Sequence, residues 1–234
     1  MIDIILCDDH ALIRRGIRDT LSDAPDMRVV GEAGDYGELR TLMRNLVQAG
    51  AAGSPLAGRE PGRDLTRVAP CDVLVLDINL PGRSGLDALH ALKDEGSAVK
   101  VLVVSMYPED QYAIRALRAG AYGYVNKGGD PQLIVQAVRT VAQGRKYVTP
   151  EIAQMLVESL TAPTHENAHS KLSDRELQTL VMIASGKRLA DIAQALMLSP
   201  KTVSVYRARV LEKLQLANNS ELTVYAIRNG LVGQ

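Results

Sequence analysis

Over the first 143 residues, short aliphatic runs alternate with segments in which apolar residues recur every three or four positions. The runs fall at 2–7, 28–33, 72–77, 99–105 and 122–126. Those at 72–77 (DVLVLD) and 99–105 (VKVLVVS) are β-branched and apolar on both faces, which suits parallel strands covered by helices on each side. The intervening periodic segments, at 11–22, 36–47, 86–95, 111–119 and 131–143, predict helices. Five such strand–helix units predict an α/β fold, a five-stranded parallel doubly wound sheet of the flavodoxin-like kind.

Two stretches break the pattern. Residues 48–70 (QAGAAGSPLAGREPGRDLTRVAP) have no period and are rich in Gly, Ala, Pro and Arg. Connections in α/β units usually take about 2–6 residues, so this reads as an insertion loop. Residues 145–170 read as a linker carrying one amphipathic helix at 150–160, with Thr149 as N-cap, Pro150 at N1 and a small polar run after it.

The pattern after the linker, 171–234, is all helical. Ser173 and Glu176 form a capping box, and Gly186 ends the first helix. A short helix at 190–196, a three-residue break and a longer helix at 200–214 make a helix-turn-helix pattern, followed by a fourth helix at 220–229. The expected domains are thus 1–144, a linker at 145–170, and a four-helix domain at 171–234.

Composition narrows the class. At 46% apolar and 23% charged residues, the chain lies near the globular averages of about 45–50% and 25%, which excludes a disordered tail, a collagen or a disulfide miniprotein. No apolar run approaches the roughly 18 residues of a membrane span, and MIDIILCDDH lacks the basic start of a signal peptide. Cys7 and Cys71 border apolar runs and read as reduced core thiols, so a cytoplasmic protein is expected. The zero net charge hides an asymmetry. Residues 1–169 hold 18 basic and 22 acidic side chains, and residues 170–234 hold 9 and 5. A basic helical tail on an acidic body points to a polyanion at that end.

Parallel sheets place their sites at the carboxyl ends of the strands. There this chain puts Asp8 and Asp9 after the first strand, Asp77 at the end of the third, Ser105 at the end of the fourth and Lys127 after the fifth. Three carboxylates a few ångströms apart repel, and a hard divalent cation with oxygen ligands, Mg2+, removes that cost. An ionised carboxylate accepts a phosphoryl group without a general base, so Asp77 is the candidate nucleophile. Lys127 would neutralise the equatorial oxygens and Ser105 would donate to them. His10, next to the acidic pair, reads as a helix-start residue without chemistry.

In their order, DDH, LVLDINLPGRSGLD, VVS and GYVNK resemble the receiver of a two-component response regulator of the NarL/FixJ type, and the tail resembles a LuxR-type helix-turn-helix. The tail segment is most similar to the GacA/UvrY branch. The resemblance implies a regulator rather than an enzyme, with Asp77 accepting its phosphoryl group from a sensor histidine kinase and releasing it slowly. It implies Asp8, Asp9, Asp77 and the backbone carbonyl of Asn79 as metal ligands, Ser105 and Tyr124 as the switch pair, and Asn79 and Tyr107 as positions tuning phosphoryl lifetime. It also implies a homodimer on phosphorylation and double-stranded DNA, not membrane, as the target.

On the helix 200–214, Val203, Tyr206, Val210 and Leu214 form the core stripe. The exposed side makes Lys201, Ser204 and Val205 candidate base contacts and Thr202, Arg207, Arg209 and Lys213 candidate phosphate contacts. Leu222, Val224, Tyr225 and Arg228 are candidate dimer contacts. Two other classes stay open. One is a Mg2+-dependent phosphatase, although those of the haloacid-dehalogenase type carry a second acid where this chain has Asn79. The other is a phosphate-independent regulator whose sheet domain only scaffolds a dimer.

Overall fold

The computed structural model describes residues 1–51, 69–106, 109–161 and 168–232. The chain divides into two compact units, Met1–Val157 and Glu158–Gln234.

In the first unit the strands are β1 (Ile2–Cys7), β2 (Met27–Ala33), β3 (Val73–Asp77), β4 (Lys100–Ser105) and β5 (Gly123–Asn126). All pair in parallel in the order β2-β1-β3-β4-β5. The helices are α1 (Ala11–Ser22), α2 (Tyr36–Ala51), α3 (Gly85–Asp94), α4 (Glu109–Ala119) and α5 (Pro131–Ala142); α6 (Pro150–Thr161) begins in this unit and ends in the next. α1 packs on α5 and α3 on α4. One core layer joins Ile4, Leu6, Val73, Val75, Leu102 and Val104 of the sheet to Ile17 and Leu21 of α1 and Ile134 and Val138 of α5. Strand order reverses between β1 and β3, and this crevice is where such sheets bind ligands.

The doubly wound sheet is the one the pattern predicts. α2 runs four residues past its expected end, because Gln48, Ala49 and Ala51 are strong helix formers and Gly50 alone opposes them. The expected insertion therefore begins later than position 48, and its stretch 52–68 lies outside the described residues. α6 starts as predicted, with the Thr149 hydroxyl accepting from the Ile152 N–H. Cys7 and Cys71 are buried thiols. Among the described residues, no helix is long and apolar enough to cross a membrane.

The second unit holds a short 3-10 turn at Ala168–Lys171, then α7 (Asp174–Ala184), α8 (Leu189–Ala195), α9 (Pro200–Leu214) and α10 (Asn219–Arg228). α7 packs on α9 and α10, and α8 on α9. Leu180, Ile192, Val203, Val210, Leu222 and Ala226 are buried. The predicted capping box is present, with the Ser173 hydroxyl accepting from the Glu176 N–H and Glu176 accepting from the Ser173 N–H. Glu176 also accepts from Lys213 Nζ of α9 at 2.7 Å, tying the two helices together.

Burial raises the Glu176 carboxyl, but the bonds from Lys213 and the Ser173 backbone outweigh it and hold it below the ordinary range. A depressed folded-state value stabilises above the unfolded value and is lost as pH falls through the folded one. Glu176→Gln is therefore expected to cost about 1.5–3 kcal/mol near neutrality. The deficit should shrink toward acid, as read by urea unfolding of the full chain.

Candidate functional site

The acidic pocket forms at the carboxyl ends of β1 and β3. The Asp8 N–H donates to Ala33 O at 3.0 Å, continuing the sheet by one residue. Asp77 closes β3 and is buried. Each carboxylate is held at its Oδ1 by an amide two residues on: the His10 N–H reaches Asp8 at 2.9 Å, and the Asn79 N–H reaches Asp77 at 3.1 Å.

The Oδ2 atoms face Lys127. Its Nζ lies 2.6 Å from Asp8 Oδ2 and 2.7 Å from Asp77 Oδ2, with all three side chains 2–3% exposed. The backbone sets this reach: the Lys127 N–H donates to Ser105 O at 2.8 Å, and Asn126 Oδ1 accepts from the Gly128 N–H at 2.7 Å in the turn that follows. Ser105 is buried at the end of β4. Tyr124 of β5, across from Val103 of β4, is fully buried. Tyr107 lies outside the described residues.

The turn after Asp77 is built tightly. Gly82 takes φ +71, the left-handed region that favours glycine. Ser84 caps α3, its hydroxyl accepting from the Asp87 N–H. The Gly85 N–H donates to Ile78 O at 2.8 Å, and a Cβ on Gly85 would stand 1.9 Å from Asp77 O. Only glycine lets α3 approach the Asp77 carbonyl so closely.

Burial raises the Asp77 carboxyl above the ordinary carboxylate range; Lys127 pulls it back, and the charge of Asp8 raises it again. Burial and the negative charges of Asp77, Asp8 and Asp35 likewise push the Cys7 thiol up, so it stays protonated and unreactive. Ligand atoms of Asp8, Asp9, His10 and Asp77 lie within 4.8 Å of one another. Three carboxylates so placed are the oxygen donor set of a hard divalent cation, so the residues present fit Mg2+.

Two residues at the pocket have roles that the sequence did not reveal. Arg14 donates to the Asp8 carbonyl and, through Nε at 3.0 Å, to Glu32 of β2. That pair spans 18 residues and leaves no periodic signal. His10, expected to be inert, turns its ring toward Asp9, with Nδ1 2.6 Å from Oδ1.

In the second unit α9 has its predicted bounds and its predicted inward stripe, with Tyr206 half-buried where a core position was expected. Lys201, Ser204, Val205 and Arg209 are exposed on one surface. The others are engaged elsewhere. Thr202 shares a hydrogen bond with Ser199 at the helix cap, Arg207 Nε donates to Asn219 at 2.6 Å, and Lys213 binds Glu176. The Ser204 hydroxyl donates back to Pro200 O. Of the candidate dimer contacts, Leu222 is core and the Tyr225 hydroxyl meets the His169 ring at 3.0 Å, whereas Val224 and Arg228 are exposed, joined by Ile227.

Comparison with known proteins agrees with this geometry. The family model "Response regulator receiver domain" matches residues 56–139, and "Bacterial regulatory proteins, luxR family" matches 170–226. The chain is 36% identical to the response regulator GacA of Pseudomonas aeruginosa over 233 residues, covering 99% of this chain and 98% of that protein. It is also 36% identical to the response regulator UvrY of Escherichia coli K12, covering 99% and 96%. A LuxR-family response regulator structure from an Aurantimonas species superposes with a TM-score of 0.53 at 30% identity, covering 69% of this chain and 99% of that one. RcsB of Salmonella enterica serovar Typhimurium, solved on promoter DNA, shares the fold at TM-score 0.59 and 22% identity, covering 97% of this chain and 98% of that one.

Proposed function

Because the chain belongs to the two-component response regulators that join a receiver to a LuxR-type DNA-binding domain, a class of phosphorylation-dependent transcription regulators, we propose that Asp77 is its phospho-acceptor and α9 its DNA reader. The observation that carries this is the buried Asp8–Lys127–Asp77 triad beside Asp9 at the strand-order crevice.

Chemistry follows from the geometry. Lys127 Nζ, 2.7 Å from Asp77 Oδ2, favours the carboxylate form that acts as nucleophile. An Asp77 oxygen attacks the phosphorus of a phosphohistidine on the sensor kinase. A P–O bond forms as the P–N bond breaks, and the leaving imidazole keeps the electron pair and takes a proton. Asp8, Asp9, Asp77 and the Asn79 carbonyl would hold Mg2+, which when bound would supply charge neutralisation at the transferring oxygens. Lys127 then pairs with the phosphoryl oxygens, Ser105 donates to them and Tyr124 packs behind it. Asn79 places an amide where a dehalogenase-type phosphatase has a second acid, which favours slow self-hydrolysis over turnover of an added substrate.

Phosphorylation shifts a monomer–dimer equilibrium, and the dimer presents two α9 helices to two half-sites of double-stranded DNA in the cytoplasm. We place the receiver at 1–144, the linker at 145–170 and the DNA-binding domain at 171–234. Lys201, Ser204 and Val205 read bases, and Thr202, Arg207, Arg209 and Lys213 serve phosphates.

A test uses the acetyl-phosphate-treated full chain and duplexes selected from a random pool. Arg209→Ala is expected to weaken binding to all sequences alike and to lower the salt slope by about 1, and Lys201→Ala to cost about 1–3 kcal/mol and relax the preference at one base position. Lys213→Ala should change the slope less, because its ammonium is engaged with Glu176. Binding that is absent, or insensitive to salt and to these variants, overturns the assignment.

A further inference from the structure

The turn between β1 and α1 is held from outside the pocket by a side chain that touches no reacting atom. We propose that Arg14 is a positioning residue for phosphoryl acceptance, fixing the Asp8–Asp9 peptide so that both carboxylates stand where transfer to Asp77 needs them; this rests on the reading of Asp77 as the phospho-acceptor.

Three observations carry it. First, Arg14 Nη1 donates to the Asp8 carbonyl, back across the turn. That bond completes the hold on Asp8. Its N–H donates to Ala33 O, its Oδ1 accepts from the His10 N–H, and its Oδ2 faces Lys127 Nζ. The carbonyl lies in the same rigid plane as the Asp9 N–H, so holding it sets the direction in which Asp9 leaves the strand. Second, the guanidinium is itself anchored. Arg14 Nε donates to Glu32 Oε2 of β2 at 3.0 Å, and Glu32 Oε1 accepts from Arg18 Nη1 at 3.2 Å. The Arg14 side chain is 20% exposed, so this charge-assisted pair is more fixed than an ordinary surface ion pair. Third, the charge of Arg14 is felt in the pocket, where it opposes the carboxylates of Asp77, Asp8 and Asp35 at the Cys7 thiol.

Arg18 supplies an internal contrast. Both arginines tie α1 to β2 through Glu32, and of the two only Arg14 goes on to the Asp8 carbonyl. A role confined to joining helix and strand belongs to both; a role in transfer belongs to Arg14. Misplacing a group by about 1 Å can cost a hundredfold in rate even when the change is remote from the chemistry. With acetyl phosphate as donor, a P–O bond to Asp77 forms as the bond from phosphorus to the acetyl oxygen breaks, and acetate leaves with the electron pair. Arg14 acts on the rate of that step and not on the capture of the donor.

The test follows the intact mass of the full chain against time over a range of acetyl phosphate at saturating Mg2+, in wild type, Arg14→Met, Arg14→Lys and Arg18→Ala. Amide hydrogen exchange of the same chains in a chelator gives a readout without metal or donor. Arg14→Met is expected to lower the maximal rate about 10–100-fold and to leave the half-saturating acetyl phosphate within about twofold. Exchange at the His10 amide, bonded to Asp8, should rise at least about tenfold while the middle of β1 stays unchanged. Arg14→Lys should recover only part, because one ammonium does not reproduce the fork that serves Asp8 and Glu32 together. Arg18→Ala should match wild type on both readouts. An Arg14→Met chain that transfers at the wild-type rate, or equal losses in Arg14→Met and Arg18→Ala, overturns the positioning role and leaves Asp77 as acceptor. If melts show Arg14→Met unfolded, Glu32→Ala, which releases Nε, is expected to move rate and exchange the same way by a smaller factor, and no change there overturns the role as well. A wild type that gains no phosphoryl group overturns the reading of Asp77, and the role of Arg14 with it.

Discussion

Replacing Lys127 with Met is expected to cost the metal-free chain about 3–5 kcal/mol, because it leaves two buried carboxylates facing each other without their cation. The size follows from removing one partner of a buried group, not from the worth of a surface pair. The pH dependence has a definite sign. The folded-state value of Asp77 lies above its unfolded one. Its contribution is therefore fully present below the unfolded carboxylate value and is lost as pH rises through the folded one. Without Lys127 that folded value rises further, so the deficit should be largest near neutrality and shrink toward about pH 5. Asp77→Asn in the Lys127→Met background should recover most of it. Urea unfolding in a chelator across that range measures all three. A deficit that is flat with pH, or deaf to Asp77→Asn, would place the role of Lys127 elsewhere.

The second large effect is expected at a residue with no functional group. Gly85→Ala puts a methyl 1.9 Å from Asp77 O, 2.8 Å from its carbonyl carbon and 2.9 Å from the Ile78 Cα. These are backbone atoms and cannot rotate away, so either α3 lifts or the Asp77 turn moves. Overpacking costs about 1–3 kcal/mol where side chains can yield. Here the cost should be at the top of that range or beyond, with phosphoryl acceptance lost as well. Gly82→Ala is the contrast. It has open space around it but φ +71, so it should cost only the left-handed penalty of about 1–2 kcal/mol and keep acceptance. Comparing melts and phosphorylation for the two variants separates a packing requirement from a conformational one.

Why some of this was legible beforehand and some was not has physical causes. Strands apolar on both faces announced a covered parallel sheet, and the rule that its sites lie at the carboxyl ends located Asp8, Asp77 and Lys127 before any coordinate. The bounds of α1 and α9 were readable because their stop and start signals, Ser199-Pro200 above all, act within one turn. What failed to show was long-range or sterically local. Arg14 reaching Glu32 depends on how α1 lies on β2. Lys213 reads as a phosphate contact, and its bond to Glu176 depends on how α9 crosses α7. Tyr225 reads as an interface residue, and its bond to His169 spans 56 residues, which no periodicity reveals. Side-chain periodicity says which face a residue is on, not which partner claims it there. His10 reads as a helix-start residue and is the N-cap of α1, but only the coordinates show its ring turned onto Asp9 instead of the helix end.

The central claim is that Asp77 accepts a phosphoryl group in a pocket built by Asp8, Asp9 and Lys127. The most direct measurement is the intact mass of the chain after incubation with acetyl phosphate and Mg2+, beside Asp77→Asn treated alike. The account predicts a gain of about 80 Da in the wild type and none in the variant. A gain that persists in Asp77→Asn, or a wild type that gains nothing from acetyl phosphate or from a phosphorylated kinase, would contradict it.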